Sequence, residues 1–354
     1  MTASSITRHR LASQHIDTKP FATAGEVVKW MGAIQAQDYL GSLWAIALRT
    51  KKSTEADIES AVADKVIVRT WPMRGTLHFI DSENVRWMLN YLAPRPIARA
   101  ATQHKKEGLT ANEFKKSRRV IERVLQGNQL LTRDEIYEEL ERDKISCKGQ
   151  RGIHILVQLA QEGLICLAKR KGKQHTFALL DEWIPKSKML NKEEALHELA
   201  LTYFNSHGPA TVQDFTWWSG LAPQDARNAF HSVETKLKEL SVDDISYRMT
   251  KSSPSKAQST LLLPPFDEYL IAYKDRSATV EATHSHHVRS SANGLLSPII
   301  VHHGKIVGTW KREIKKDSVN ITPTLFSKVK VSPLAITKEA ARYGKFLGLA
   351  SHIK

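Results

Sequence analysis

Gln35-Ala36-Gln37-Asp38 is the stretch whose residue types and spacing could best do chemistry. A primary amide accepts through its carbonyl oxygen and donates through its NH₂, so two amides can hold and orient one water molecule. Residues i and i+2 share a side of an extended chain but lie on opposite sides of a helix. Both glutamines can therefore serve one site only where this stretch is extended or ends a helix. The apolar period of Val27, Val28, Trp30, Met31 and Ile34 stops at Gln35, which permits that geometry. The competing reading is two polar side chains that satisfy backbone groups at a helix terminus. Asp38 adds a carboxylate, but as the adjacent residue of an extended chain it faces away from Gln37.

Other residues invite chemical readings, each with a structural rival. Arg74 and His78 border a hairpin turn. They read as a turn arginine and a strand-packed histidine, with a DNA-facing wing as the rival that a family resemblance implies. Lys169, Arg170, Lys171 and Lys173 crowd the tip of a second hairpin. They suit a phosphate backbone or a minor groove, or form a solvated hairpin end. Asp267, Glu268 and Arg276 have the types of an acid–base set, with a structural ion-pair cluster as the favoured reading. Trp217 and Trp218 read first as packing residues and second as base-stacking surfaces. His284, His286 and His287 lie in a polar stretch without accompanying Cys or carboxylate spacing, so no metal and no cofactor is expected.

The elements that must position these residues repeat one plan: three helices, then a short hairpin. In the first repeat, helices start near Thr23, around Leu43–Ala47, and after Ser53 or Thr54; strands follow at 66–71 and 76–80. The second repeat has a helix over 112–125, a capping box at Thr132 and Glu135, a helix through Ile153–Leu159, and strands at 164–168 and 175–180. The third starts near Lys192, breaks at Gly208-Pro209, and restarts at Thr211 and at Pro223. Its last helix is expected to carry Leu237 and Leu240 on its buried face, and Ser252 to Ser255 reads as a loose loop. Beyond Leu261 come short apolar runs, a hairpin turn at His303-Gly304-Lys305, a polar loop over 281–293 and a helix over 337–346. Helix–helix–helix–hairpin is the winged-helix plan. The expected fold is mainly α with small β hairpins (α+β): winged-helix units over 1–108, 109–188 and 189–258, then a β-rich subdomain with a terminal helix over 259–354.

Charge narrows the class of partner. Among 354 residues, 52 Lys and Arg outnumber 37 Asp and Glu, for a net charge of +15. Such an excess favours a polyanion, because each neutralised phosphate releases a condensed counterion. No run of 18 apolar residues and no amphipathic basic helix points to a membrane. The two cysteines, Cys147 and Cys166, set up neither a disulfide framework nor a zinc site. The N-terminal stretch lacks the apolar core of a secretory signal. A cytoplasmic, nucleoid-associated monomer with no obligate protein partner is the expectation.

Four stretches, in order along nearly the whole chain, resemble the AlkZ/YcaQ-type winged-helix DNA glycosylases: MGAIQAQDYLGSLWAIALR at 31–49, VRTWPMRGTLHFI at 68–80, LLPPFDEYLIAYKDR at 262–276 and HGKIVGTWKR at 303–312. That family carries Gln-hydrophobic-Gln, or Gln-hydrophobic-Asp in its YcaQ-like branch. Gln35, Ala36 and Gln37 match the first form, with Ala36 a small occupant of the hydrophobic position. The resemblance implies a monofunctional glycosylase that removes N7- or N3-alkylated purines from double-stranded DNA, bulky or crosslinking adducts included, with Gln35 and Gln37 catalytic.

The chemistry agrees. An N7-alkylguanine ring is already cationic, so its glycosidic bond breaks without protonation of the leaving group. What remains is to place a water, and glutamine amides can do that. The alternative is a non-catalytic winged-helix DNA-binding protein or transcription regulator, which the charge and element order would suit equally. Regulators of that type usually use one winged helix and dimerise; three units and no coiled-coil segment weigh against it.

Overall fold

Threonines start several of the helices, as their short oxygen-bearing side chains favour. Thr23 caps Ala24–Met31 and Thr132 caps Arg133–Arg142, each in a reciprocal capping box with Glu26 or Glu135. Thr110 caps Ala111–Leu125. The computed structural model describes residues 3–16, 20–250, 254–255, 260–288, 296–326 and 329–354. The chain is 50% helical and 21% strand, a mixed α/β composition with more strand than isolated hairpins supply. Two compact units emerge: Met1–Ile58, Leu196–Trp218 and Ala222–Lys354 form the first, Glu59–Ala195 and Ser219–Leu221 the second.

In the first unit a five-stranded sheet runs in the order Ala350–Ile353, Ser318–Leu325, Lys305–Ile314, Ile299–His302, Thr260–Leu263. Its neighbours are antiparallel except Ser318–Leu325 with Ala350–Ile353, which is parallel. The helices Pro333–Leu347 and Tyr39–Leu48 share an aromatic core with it. Tyr343 stacks edge-on against Trp44 at 5.1 Å and against Trp310 at 5.3 Å. The indoles of Trp44 and Trp310 donate to the carbonyls of Leu262 and Leu263, so neither buried N–H is left unpaired.

Beneath this core lies a buried ion pair. Arg49 and Asp267 are 1% and 0% exposed and meet through two bonds of 2.9 and 3.0 Å. The remaining donors of Arg49 go to the Gln14 carbonyl, the Gln14 side chain and the Ala45 carbonyl. All five guanidinium hydrogens are thereby used.

In the second unit, strands lie in the order Thr76–Asp81, Ile67–Met73, Ile165–Leu167, Thr176–Leu179, Leu131–Thr132. The helices Ala111–Leu125, Arg133–Arg142 and Arg151–Gln161 precede the hairpin, the order anticipated for this segment. Their inner faces, including Ile121, Leu125, Ile136, Leu140, Leu156 and Leu159, form one core with Trp71 and Phe177.

Several expectations need correction. Helix Pro223–Val233 stops before Leu237 and Leu240. Leu240 belongs to strand Lys238–Val242, which pairs with Ile245–Met249 through a tight turn at Asp243 and Asp244, both with positive φ. The buried residues there are Leu240 and Val242, a spacing of two that marks a strand rather than the end of a helix. That hairpin is regular. The stretch from 281 is not loop over its described part: Ala282–His284 and Ser285–Val288 are short helical turns, while 289–293 lie outside the described residues, as do Ser252 and Ser253. Helices Val85–Leu92 and Pro94–Lys106 were not anticipated.

The buried pair generates a stability prediction. Asp267→Ala should destabilise the protein by about 3–5 kcal/mol, because it strands a buried guanidinium. Removing the solvent-facing partner in Arg86–Asp181, with Asp181 80% exposed, should cost under about 1 kcal/mol. Urea unfolding of the two variants checks the contrast, and equal losses would refute it.

Candidate active site

The glutamines stand where the chain leaves one helix for the next. Helix Ala24–Met31 ends at Gly32, whose φ of +73° suits glycine. Gly32 also lies where an added Cβ would sit 2.8 Å from Thr202. A short extended stretch, Ile34–Gln35, follows. Burial alternates from there: Ile34 buried, Gln35 half-buried, Ala36 buried, Gln37 exposed. That alternation belongs to an extended chain and sets both glutamines on the side opposite Ala36. The smallness of Ala36 has a place in this arrangement, since it is fully enclosed.

Two carboxylates fix the stretch. The Gln35 backbone N–H donates to Glu268 Oε1 at 3.0 Å. Glu268, 0% exposed, also accepts from the Trp218 indole at 3.1 Å through Oε2. His207 Nε2 stands 3.7 Å from the same oxygen, beyond hydrogen-bond length. Burial holds the His207 imidazole below its ordinary range although Glu268 pulls the other way. Asp38 caps helix Tyr39–Leu48 by accepting from Gly41 N–H at 2.8 Å. Both of its oxygens also accept from Arg312 Nη2, each at 3.0 Å. Asp38 is thus engaged twice. The Gln35 side-chain oxygen is different: it is buried and has no hydrogen-bond partner among the described residues. Such an atom is a cost to folding unless a ligand or water completes it.

Sequence reasoning singled out Glu268 and Asp267 but missed Arg49 and Arg312, and with them every one of these pairings. Arg49, Glu268 and Arg312 all lie inside stretches that carry the family resemblance, and in the first unit those stretches converge. Gln35 meets Glu268, Arg49 meets Asp267 and Asp38 meets Arg312. Asp267 is structural, as favoured, but its partner is Arg49. Trp217 and Trp218 part company. Trp218 is fully buried, while Trp217 is 47% exposed with its indole donating to the Ile271 carbonyl.

In the second unit, Arg74 and Gly75 form the tight turn between Ile67–Met73 and Thr76–Asp81, both with positive φ. His78 has 0% exposure. Its Nε2 lies 3.0 Å from Arg74 Nη2 and its Nδ1 2.9 Å from the Thr76 carbonyl. It props Arg74 and presents no surface of its own. At the second hairpin the four basic residues divide. Arg170 pairs with Glu59 at 2.6 Å and Lys171 with Glu135 at 2.8 Å. Lys169 and Lys173 are exposed and make no ion pair among the described residues.

His284 and His287 stack on Phe326 at 4.7 and 5.2 Å. Among the described residues no group of three or more His, Cys, Asp or Glu could hold a metal, and no helix is long and apolar enough to cross a membrane.

A sequence model of the family described as DNA glycosylase AlkZ-like matches residues 28–346. The chain is 26% identical to an interstrand DNA cross-link repair glycosylase from Streptomyces sahachiroi over 96% of its own length and 95% of that protein. The solved structure of Streptomyces sahachiroi DNA glycosylase AlkZ superposes with a TM-score of 0.82 over 100% of both chains, at 24% identity. That likeness is one of fold.

Buried histidines give a pH dependence. Burial holds His78 well below 6.5, and burial with the charges of Arg69 and Arg170 holds His175 at about 4. In the unfolded chain both titrate near 6.5. Between those values the unfolded state binds more protons, so stability is full above about pH 6.5 and is lost as pH falls toward 4. Thermal melts across that window should show a flatter profile for His175→Gln than for the wild type. Parallel profiles would mean that His175 is not held neutral.

Proposed function

The chain belongs to the AlkZ-like DNA glycosylase family, and we propose that it hydrolyses the N-glycosidic bond of N7- and N3-alkylated purines in double-stranded DNA, with Gln35 and Gln37 placing the attacking water. The observation that carries this reading is the uncommitted amide oxygen of Gln35 on a backbone that Glu268 holds in place. The enzyme is a glycosylase by family. The alkylated purine is what the family resemblance implies, and the chemistry of the site is compatible with it. Asp38 is occupied by Arg312 and Gly41, which leaves neutral amides to act. Neutral amides suit a leaving group that already carries positive charge. The cross-link repair glycosylase it resembles supports extending the substrate range to bulky or crosslinking adducts.

We read the three helix–helix–helix–hairpin segments as winged-helix units that lie on duplex DNA, with Arg74 and the hairpin at 169–173 contributing phosphate contacts. The enzyme works as a monomer on the cytoplasmic nucleoid in this reading.

Binding should depend steeply on salt. Among the described residues Lys169 and Lys173 make no ion pair, while Arg170 and Lys171 pair with Glu59 and Glu135. Lys169→Ala with Lys173→Ala should therefore reduce the slope of log K against log salt by about 2, near 0.9 per phosphate contact. Arg170→Ala with Lys171→Ala should reduce it less. Dissociation constants across a salt series measure both, and an unchanged slope for the first pair would place this hairpin away from DNA.

Gln35→Ala and Gln37→Ala should each lower single-turnover release of N7-methylguanine by on the order of 10²–10³, the loss seen for a well-placed polar group in a transition state. DNA affinity should stay within about twofold, because neutral amides add little to phosphate binding. Glu268 holds the Gln35 backbone and not its side chain, so the alanine variants keep that bond. Gln37→Asp should retain part of the activity. Abasic sites are read by alkaline cleavage, after circular dichroism confirms folding. Wild-type rates in both alanine variants would remove the glutamines from the mechanism; no release by wild-type protein from any alkylated DNA would remove the substrate assignment.

A further inference from the structure

The second unit contains a cleft that neither the glutamines nor the hairpin tip explains. Arg69, Leu167 and Phe177 are register partners across adjacent strands, so their side chains share one face of the sheet. A cavity of about 330 Å³ opens there, at the small end of the range for ligand sites. Its floor is apolar and aromatic: Trp71, Leu167 and Phe177, all part of the unit's core. Its rim is cationic, with Arg69, Arg133 and Lys173.

The rim charges are of unequal standing. Lys173 is exposed and makes no ion pair among the described residues. Arg133 meets Asp134, also in the rim, at 3.4 Å, but the two side chains are 59% and 63% exposed, and so open a pair is weak. Arg69 is 5% exposed, with Nη1 3.1 Å from His175 Nε2. Asp134 offsets only one of the two exposed cations, Arg133 and Lys173, so the mouth of the cleft keeps a net positive charge without counting the buried Arg69. An aromatic floor beneath a cationic rim fits a ligand with a flat, uncharged ring and an attached anion. A simple anion has no use for the floor, and a simple apolar ligand none for the rim.

We propose that this cleft is a nucleotide subsite, in which a base drawn out of the stack lies against Trp71 and Phe177 while its phosphate meets Lys173 and Arg133. The inference rests on the reading of the chain as a DNA enzyme and adds a site distinct from Gln35 and Gln37. Stacking on an aromatic side chain is sequence-tolerant, so the subsite grips a strand rather than selecting a base. An enzyme that must hold a distorted duplex at a damaged position gains from such an anchor.

The test uses full-length protein carrying 5-fluorotryptophan, with the Trp71 resonance assigned through Trp71→Phe. Three probes are titrated and followed by ¹⁹F NMR: dAMP, deoxyadenosine and inorganic phosphate. The proposal expects dAMP to shift the Trp71 resonance with a dissociation constant about tenfold lower than either fragment, since both halves of the cleft are then engaged. Lys173→Ala and Arg133→Ala, both at surface positions, should each weaken dAMP by roughly tenfold, as for loss of a charge-assisted bond. A Trp71 resonance indifferent to dAMP overturns the subsite. So does an equal response to phosphate alone, which would mean a plain anion site, or unchanged dAMP binding in both variants. Release of N7-methylguanine by the same preparation is scored separately. Release without a dAMP response sinks the subsite alone; a dAMP response without release from any alkylated DNA keeps the nucleotide site and sinks the substrate reading.

Discussion

Removing a guanidinium and a carboxylate from water costs several kcal/mol for each ion, and their attraction offsets that only where the remaining donors and acceptors are also satisfied. Arg49 and Asp267 meet this condition. The guanidinium spends every hydrogen, two on Asp267 and the rest on Gln14 and Ala45. The arrangement tolerates little displacement, because a shift of either partner breaks several bonds at once. Asp267 also caps the short helix that begins at Glu268. Glu268 is thereby set at a fixed height, from which it reaches the Gln35 N–H and the Trp218 indole. The position of the glutamine strand is inherited from the ion pair through one intervening peptide. On the other flank, Arg312 pins Asp38 from strand Lys305–Ile314. The glutamine stretch is held through backbone and neighbours, and the Gln35 amide oxygen has no hydrogen-bond partner among the described residues.

Net charge alone overstates what the surface offers a polyanion. Of four basic residues at the second hairpin, two are spent on Glu59 and Glu135. Arg118 and Arg123 on helix Ala111–Leu125 are likewise engaged, with Glu162 and Asp143. The histidines add nothing at neutral pH where burial holds them neutral, as with His78 and His175. At the second hairpin, Lys169 and Lys173 are the basic residues without an ion pair among the described residues, and so the ones the proposed reading sets against phosphate. Glu135 shows how the two layers interlock. It closes the capping box of Thr132 and takes Lys171, and these bonds hold its carboxyl at about 2.

Local signals in the sequence were legible where one residue type has one physical use. The capping box at Thr132, the glycine turn at 303–305 and the amphipathic helices after 111 and 192 all appear where the side chains require them. Period was misread where helix and strand patterns abut: Leu237 and Leu240 extend a helical spacing by chance, while Leu240 and Val242 carry the strand spacing that prevails. Helices 85–92 and 94–106 went unseen because they follow the hairpin at which the three-helix plan of the first repeat was taken to end. The site was legible only in its own residues. Gln35 and Gln37 stand out through a broken period, whereas Glu268 is 233 residues away from Gln35, and no periodicity carries information over that distance. Only the shared stretches of family resemblance hinted that 31–49, 262–276 and 303–312 belong together.

The pairing of the acids bears on selectivity in the proposed reaction. An unmodified purine leaves as a poor anion and needs a proton donor, whereas an alkylated one leaves as a neutral base. The carboxyl groups that fix the glutamine stretch are Asp38, held by Arg312 and Gly41, and Glu268, held by Gln35 and Trp218. Each accepts hydrogen bonds at both of its oxygens from donors that the fold sets in place. A site of this kind can assist a bond that is already weakened and can do little for one that is not. Discrimination then arises from the electronic state of the leaving group and not from a tight enclosure around it. Such a site does not need to measure the size of the alkyl group, which is the property required for adducts of different bulk. In the proposed reaction the ion pair, the two anchored carboxyl groups and the neutral amides serve one end: acids engaged by the fold, beside amides that place a water for a base whose bond is already weakened.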